Sequence, residues 1–223
     1  MTGPVGADVT AQVAIGLLSE GNARYVAGRA QHPNQDAARR VELTARQNPI
    51  AVVVGCTDSR VPPELLFDVG LGDLFCVRTA GHVLDHAVQG SIEYAVAHLD
   101  VPLVVVLGHS QCGAVTATLE HVRSPGQLPG SLSTLVWAIT PAVEQALRHT
   151  KAQGNGVDPL DLAVQINVAN TVARLAESRP ILAEGVAAGD LAVVGAVYDI
   201  ASGAVRWLDA DAPTPGSTDA ARV

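Results

Sequence analysis

Two uninterrupted runs of apolar residues constrain the fold of this chain more than any other feature of its sequence. The runs are Ile50-Ala51-Val52-Val53-Val54 and Leu103-Val104-Val105-Val106-Leu107. Neither run alternates polar with apolar residues, so both faces of each strand are expected to be buried, as in a parallel sheet covered by helices on both sides. Each run is also far shorter than the roughly 20 residues that cross a bilayer. The sequence therefore predicts buried parallel strands and no membrane span.

Helical and strand patterns alternate along the rest of the chain, which predicts an α/β fold with a mostly parallel central sheet flanked by helices. We expect a single domain over 36–210, preceded by an N-terminal helical arm over 1–35 and followed by a flexible tail over 211–223. Its C-terminal strand is predicted to be an antiparallel edge strand, joined to the strand before it by a hairpin at 199–203. Further strands are predicted over 73–78, 191–198 and 205–208, and helices over 9–28, 62–67, 87–99 (with core positions Ile92, Tyr94 and Val96), 113–122, 132–151 and 159–176.

The charge, the first residues and the cysteine content indicate which binding partners and which cellular compartment to expect. The formal net charge is −8 and the isoelectric point is near 5.2, which disfavours a nucleic-acid partner because phosphate binding needs clustered Lys and Arg. The first residues lack the basic and apolar segments of a secretory signal, so we expect a cytoplasmic protein. Three cysteines cannot all pair with one another, and reduced thiols or metal ligation are expected instead.

Two short polar loops follow the two apolar runs: Cys56-Thr57-Asp58-Ser59-Arg60 and His109-Ser110-Gln111-Cys112-Gly113. The carboxyl ends of parallel strands share one edge of the sheet, where the ligands of such folds bind. Two thiolates, one imidazole and one carboxylate are the ligand types of a tetrahedral zinc site. A lone cysteine is more often a small buried apolar residue, and Cys76 is interpreted in that way. The combination at Cys56, His109 and Cys112 predicts a metal site.

The pair Asp58 and Arg60 allows more than one arrangement. An arginine fork can hold a nearby carboxylate through two hydrogen bonds, and such a pair can simply stabilise a loop. Beside a metal, a free Asp58 could serve as a fourth ligand, whereas an Asp58 held by Arg60 would leave that position open. The difference separates a closed site from a catalytic one.

The motif Cys-x-Asp-Ser-Arg, followed about fifty residues later by Gly-His-x-x-Cys-Gly, resembles the signature of the β-carbonic anhydrases. The resemblance covers about 47–122 and returns at 195–199. It implies a zinc enzyme that hydrates CO2 reversibly to bicarbonate and a proton, with Zn²⁺ held by Cys56, His109 and Cys112. It also implies that Asp58 ligates the metal in a closed form, and that in the open form Asp58 and Arg60 orient zinc-bound hydroxide.

The same resemblance implies substrate contacts outside the two motifs. Gln47, nine residues before Cys56, matches a glutamine that donates to bicarbonate, although a polar residue before a strand is also ordinary. Phe75 and Tyr94 match apolar wall positions near the CO2 pocket, which core packing explains equally well. Gly113 completes the set of predicted substrate contacts.

Two positions depart from the family pattern. The chain has His82 where the family often has asparagine, and we expect an exposed loop histidine there, with a proton relay as the alternative. Val53 replaces a tryptophan that some members use for regulation by bicarbonate.

Two alternative functions remain: hydrolysis of COS or CS2 on the same scaffold, and a catalytically silent zinc-binding module. The family resemblance also implies a homodimer or homotetramer, with the N-terminal helix reaching across to its partner.

Overall fold

The computed structural model describes residues 9–153 and 156–208, so the predicted tail over 211–223 lies outside the described residues. Within these ranges, no helix is both long and apolar enough to span a membrane. The helices are α1 (Ala11–Val26), α2 (Ala37–Glu42), α3 (Pro63–Leu66), α4 (His86–Leu99), α5 (Gly113–Arg123), α6 (Leu132–Gln153), α7 (Pro159–Ala176) and α8 (Ile181–Ala188), with a 3-10 turn at Ala80–His82. The strands are β1 (Ala51–Cys56), β2 (Leu74–Thr79), β3 (Leu103–His109), β4 (Ala192–Tyr198) and β5 (Val205–Trp207).

The strands form one sheet in the order β2-β1-β3-β4-β5. The first four strands are parallel to their neighbours, and β5 pairs antiparallel with β4. This arrangement confirms the predicted fold class. Strands β1 and β3 are buried along their whole length because successive side chains point to opposite faces and helices cover both. Val53 and Val105 pack towards α1, whereas Val52 and Val104 pack towards α4, α7 and α8.

Strand order reverses between β1 and β3, which places a crevice at their carboxyl ends. From β1 the chain moves outward to β2, and from β3 it moves in the opposite direction to β4. Ligands of parallel α/β sheets bind at such a switch point. Cys56 is the last residue of β1 and His109 is the last residue of β3. The fold therefore delivers two of the predicted metal ligands to this crevice.

Two features of the helices differ from the sequence-based expectations. Tyr94 was predicted as a core position of α4 and is 50% exposed, because the buried face of that helix is formed by Val88, Ile92 and Ala95. The short helix α8 was not predicted. It packs Leu182 against the sheet, on the side that also carries α4 and α7.

Helix α1 packs on the core of its own chain. Ala14, Ile15 and Leu18 are buried against the sheet. The Asn22 amide donates to the carbonyl oxygens of Leu66 at 3.0 Å and Gly203 at 2.9 Å. These contacts fix α1 to segments that lie far from it in sequence. The predicted division of the chain at residue 35 stays a prediction.

The packing of α1 yields a stability prediction at Gly21. A Cβ atom at this position would overlap the carbonyl oxygen of Phe67, whereas a Cβ at Gly16 in the same helix meets no atom within 4 Å. We expect Gly21→Ala to lower the free energy of unfolding by about 2 kcal/mol. Gly16→Ala is the matched control and should raise it by about 0.5–1 kcal/mol. Urea unfolding measures both, and equal effects would contradict the close contact between α1 and Phe67.

Asp68 is a buried carboxylate that fixes the segment following α1. Its carboxylate accepts a hydrogen bond from Arg24 Nε at 2.6 Å and from the backbone amides of Gln31 and His32 at 2.9 Å. Burial opposes ionisation of this group, but the Arg24 guanidinium and the two amides outweigh it. The pKa of Asp68 therefore lies below its usual value.

This lowered pKa predicts a pH-dependent contribution to stability. A carboxyl whose folded-state pKa is lowered stabilises the fold above its ordinary pKa, and that stability is lost as the pH falls through the folded-state pKa. We expect Asp68→Asn to lower the free energy of unfolding by about 2 kcal/mol at pH 7, because hydrogen bonds to a charged group are lost. Below about pH 4 the difference from wild type should shrink. Denaturant unfolding across pH tests this, with the exposed Asp190→Asn as control; a difference independent of pH would contradict it.

Candidate metal centre

Cys56, His109 and Cys112 converge at the crevice at the carboxyl end of the sheet. Their potential ligand atoms all lie within 4.8 Å of one another, and all three residues are buried. In four-coordinate zinc sites, ligand atoms about 2.0–2.3 Å from the metal are separated by roughly 3.3–3.8 Å. Cys112 reaches the cluster because it is the N-cap residue of α5, one turn of chain beyond His109. Two sulfur atoms and one imidazole nitrogen thus form a group that could hold a metal ion.

His109 presents an unused nitrogen to this group. Its Nδ1 lies 2.9 Å from the carbonyl oxygen of Ser110, which can only accept a hydrogen bond, so the proton is assigned to Nδ1. The other nitrogen, Nε2, is buried and has no hydrogen-bond partner among the described residues. A buried polar atom of this kind is costly unless something satisfies it. A metal ion would satisfy Nε2, and a carbonyl behind a ligating histidine is typical of metal sites.

The two sulfur atoms form a coupled pair. Hydrogen bonding from the Cys112 thiol lowers the pKa of Cys56, and the Gly81 amide contributes by donating to the Cys56 sulfur at 3.3 Å. The same hydrogen bond, together with burial, raises the pKa of Cys112. Cys56 is therefore the more acidic of the two thiols. Thiolates are the form of cysteine that binds metals.

Asp58 is held by Arg60 through a two-pronged ion pair. Arg60 Nε donates to Oδ1 of Asp58 at 2.9 Å and an Arg60 terminal nitrogen donates to Oδ2 at 2.7 Å. The Arg60 backbone amide adds a third hydrogen bond to Oδ1. The Arg60 guanidinium holds the pKa of Asp58 well below its usual range. Asp58 is therefore ionised and engaged with Arg60, and its carboxylate is not part of the group formed by Cys56, His109 and Cys112.

Arg78 and Gly81 support the centre, and sequence reasoning assigned a role to neither. Arg78 Nε donates to the carbonyl oxygen of Cys56 at 2.8 Å, and an Arg78 terminal nitrogen donates to that of Asp58 at 2.7 Å. Arg78 thereby fixes the backbone that carries Cys56 and Asp58. The contacts of Arg78 and Gly81 depend on the pairing of β2 with β1, which the local sequence does not reveal.

The structure separates the other predicted substrate residues from this centre within one chain. Gln47 lies before the start of β1 and lines a groove of about 830 Å³ at the opposite end of the sheet. The length of β1 alone places it more than roughly 16 Å from Cys56, at about 3.3 Å per residue. Phe75 pairs with Val52 near the start of β2, and its ring lies 6.4 Å from that of the half-exposed Tyr94. Gly113 does lie at the centre, immediately after Cys112.

His82 is buried and not exposed. The expectation of an exposed loop histidine at position 82 is wrong, because His82 is only 2% exposed beneath α7. Burial lowers the pKa of His82 to about 4.

Cys76 is half-buried in β2 and packs against the core. Burial and the nearby Glu64 raise the pKa of its thiol. Cys76 is not part of the metal-binding group.

Comparison with known proteins assigns the chain to a family. The family model described as carbonic anhydrase matches residues 51–205. The carbonic anhydrase of Mycolicibacterium smegmatis is 51% identical over 85% of this chain and 89% of that protein. The chain belongs to the carbonic anhydrase family. Carbonic anhydrase 2 of Mycobacterium tuberculosis is 49% identical over 83% of this chain and 87% of that relative.

The solved structures narrow the membership to the β class. One of two tetrameric β-carbonic anhydrases from Sordaria macrospora aligns with a TM-score of 0.68 and 28% identity, covering 83% of this chain and 90% of that one. The predicted membership of the β-carbonic anhydrase family is confirmed.

Proposed function

We propose that this β-carbonic anhydrase catalyses the reversible hydration of CO2 to bicarbonate and a proton on a Zn²⁺ ion held by Cys56, His109 and Cys112. The observation that carries the proposal is the convergence of these three ligand atoms beside an Asp58 that Arg60 holds in an ion pair. Three protein ligands and a position left for substrate or water are the arrangement of catalytic zinc sites.

Zinc in this position would act as a Lewis acid that lowers the pKa of a bound water. In carbonic anhydrases with three histidine ligands, that pKa is about 7. Cys56 and Cys112 provide the two thiolates, and His109 provides Nε2. The buried surroundings of these ligands keep bulk water away from the sulfur atoms.

Asp58 serves as the residue that orients the nucleophile. Its carboxylate is ionised, so it can only accept hydrogen bonds, and a proton donor at the crevice would point its hydrogen towards Asp58. Arg60 occupies both carboxylate oxygens from one side and draws Asp58 away from the ligand group. The same ion pair disfavours the catalytically silent module, in which Asp58 would be a permanent fourth ligand. Hydrolysis of COS or CS2 has no observation in its favour.

The remaining substrate contacts come from a second copy of the chain. Gln47 lies too far from Cys56 to reach the centre of its own chain, and Phe75, with the Tyr94 ring beside it, pairs with Val52, four residues before Cys56. We infer that the protein is a homodimer or homotetramer, in which Gln47 of one copy donates to bicarbonate at the centre of another, and Phe75 and Tyr94 line the path of CO2. Gly113, where a Cβ would meet open space, leaves room for the substrate beside Cys112. We infer that this assembly acts in the cytoplasm.

Stopped-flow CO2 hydration by protein of known zinc content tests the proposal, at about pH 7 and about pH 8.5 to bracket the titration of the nucleophile. Activity at both values is expected, because Arg60 keeps Asp58 away from the ligand group. Activity at the higher pH alone would show that Asp58 closes the site near neutrality. No activity at either pH, with one zinc per chain, would overturn the proposed function.

A further inference from the structure

A chain of hydrogen bonds connects helix α7 to the sulfur of Cys56 through the turn Ala80–His82. The Gly81 amide donates to the Cys56 sulfur at 3.3 Å. On the other side of the turn, Asn167 Nδ2 lies 3.2 Å from the Gly81 carbonyl oxygen and 2.9 Å from His82 Nε2. Asn167, Gly81 and His82 are all buried. A side chain 85 residues further along the chain thus contacts the turn that supports a metal ligand.

The orientation of the Asn167 amide follows from its partners. The Gly81 carbonyl oxygen can only accept, so the nitrogen of the amide, and not its oxygen, must face it. The second hydrogen of the same nitrogen is then available to His82 Nε2, which must be an acceptor. The His82 ring is therefore neutral, with its proton on Nδ1. Asn167 holds the backbone at residue 81 and the side chain at residue 82 at the same time.

The turn has a backbone conformation that needs such support. Gly81 and His82 both have left-handed backbones, with φ values of 63° and 46°. A residue with a side chain rarely adopts this conformation, and it persists where the surroundings determine it. From the side of α5 and α6, a Cβ on Gly81 would lie 2.7 Å from Ile139 and 3.1 Å from Ala114. The turn is thus confined on that side by side-chain packing and held on the other by Asn167.

We propose that Asn167 is a positioning residue of the metal centre, which keeps the Gly81 amide directed at the Cys56 sulfur by holding Gly81 and His82 in their left-handed conformation. The inference rests on the proposed function, because it assigns Asn167 a role towards the zinc that Cys56 would bind. A donor directed at a thiolate stabilises its charge, and groups behind a ligand set its orientation and affinity for the metal. Asn167 acts through Gly81 and contacts no ligand itself.

Asn167→Leu tests the role, because it keeps the branched shape of the side chain and removes both hydrogen bonds. The matched control is Asn22→Leu, since Asn22 is also a buried asparagine whose Nδ2 donates to two carbonyl oxygens. It lies on α1, and its hydrogen bonds are to Leu66, Gly203 and Val205 and not to the turn Ala80–His82. Two readouts apply to the purified full chain: the Zn²⁺ dissociation constant by chelator competition, and the thiolate-to-metal charge-transfer absorption of the Co²⁺-substituted protein. Asn167→Ala removes the same bonds and replaces the leucine variant if that variant fails to fold.

We expect Asn167→Leu to weaken zinc binding by about 10- to 100-fold and to shift the charge-transfer band. Asn22→Leu should leave both unchanged, although it destabilises the fold. Wild-type zinc affinity and an unshifted band in folded Asn167→Leu or Asn167→Ala would overturn the positioning role while leaving the proposed function intact. If the Cys56→Ala variant retains its zinc, the proposed metal site fails, and this inference fails with it.

Discussion

Cys56→Ala is expected to abolish zinc binding and to lower kcat/KM for CO2 hydration by more than about 10⁴-fold, because the enzyme loses the Lewis acid that generates its nucleophile. The substitution removes one of three protein ligands from a centre in which His109 and Cys112 are the other two. His109→Ala should have the same effect, since Nε2 of His109 has no other partner among the described residues. Zinc content by atomic absorption and stopped-flow hydration measure the two losses.

The third cysteine of the chain supplies the control for this prediction. Cys76 lies in β2, is half-buried and does not belong to the ligand group. Cys76→Ala should retain one zinc per chain and wild-type turnover, with a loss of stability of about 1 kcal/mol from the smaller side chain. A Cys56→Ala protein that keeps its zinc, or turns over without it, would contradict the ligand assignment.

Asp58→Ala is expected to leave zinc bound and to lower kcat/KM by about 10²- to 10³-fold, a loss typical of removing a positioned proton acceptor. Arg60→Ala should also lower the rate at neutral pH, because it frees the Asp58 carboxylate to approach the ligand group. The double variant Asp58→Ala with Arg60→Ala should be little worse than Asp58→Ala alone, since Arg60 acts through Asp58. Such non-additivity is the signature of two residues that share one task.

Arg148→Ala is the matched control for Arg60→Ala. Arg148 forms an exposed ion pair with Glu144 on α6, away from the centre, and its loss should leave turnover unchanged. Full activity in Asp58→Ala would remove Asp58 from the mechanism. Strictly additive losses in Asp58→Ala and Arg60→Ala would show that Arg60 acts on the substrate directly.

Much of the fold and the ligand set could be predicted from local sequence. The apolar runs of β1 and β3 encode buried parallel strands without reference to the rest of the chain, and the ligands follow each strand directly. Parallel strands bring their carboxyl ends together at one edge, so the convergence of Cys56 and His109 required only the correct strand order.

Features that depend on distant contacts could not be predicted. The burial of His82 depends on Asn167, 85 residues away, and the core partners of α1 include residues of the C-terminal hairpin more than 180 residues away. Tyr94 lies in α4, whose buried face is formed by Val88, Ile92 and Ala95. The placement of Gln47 at the far end of β1, by contrast, does follow from local sequence, because Gln47 precedes the strand that ends at Cys56.

The assignment of Cys56, His109 and Cys112 as zinc ligands can be tested with a crystal structure of the purified protein, using diffraction data collected on both sides of the zinc absorption edge. We expect one anomalous peak per chain, bonded to the sulfur atoms of Cys56 and Cys112 and to Nε2 of His109, with Asp58 still paired with Arg60. No peak at this position, or a peak coordinated by residues other than these three, would contradict it.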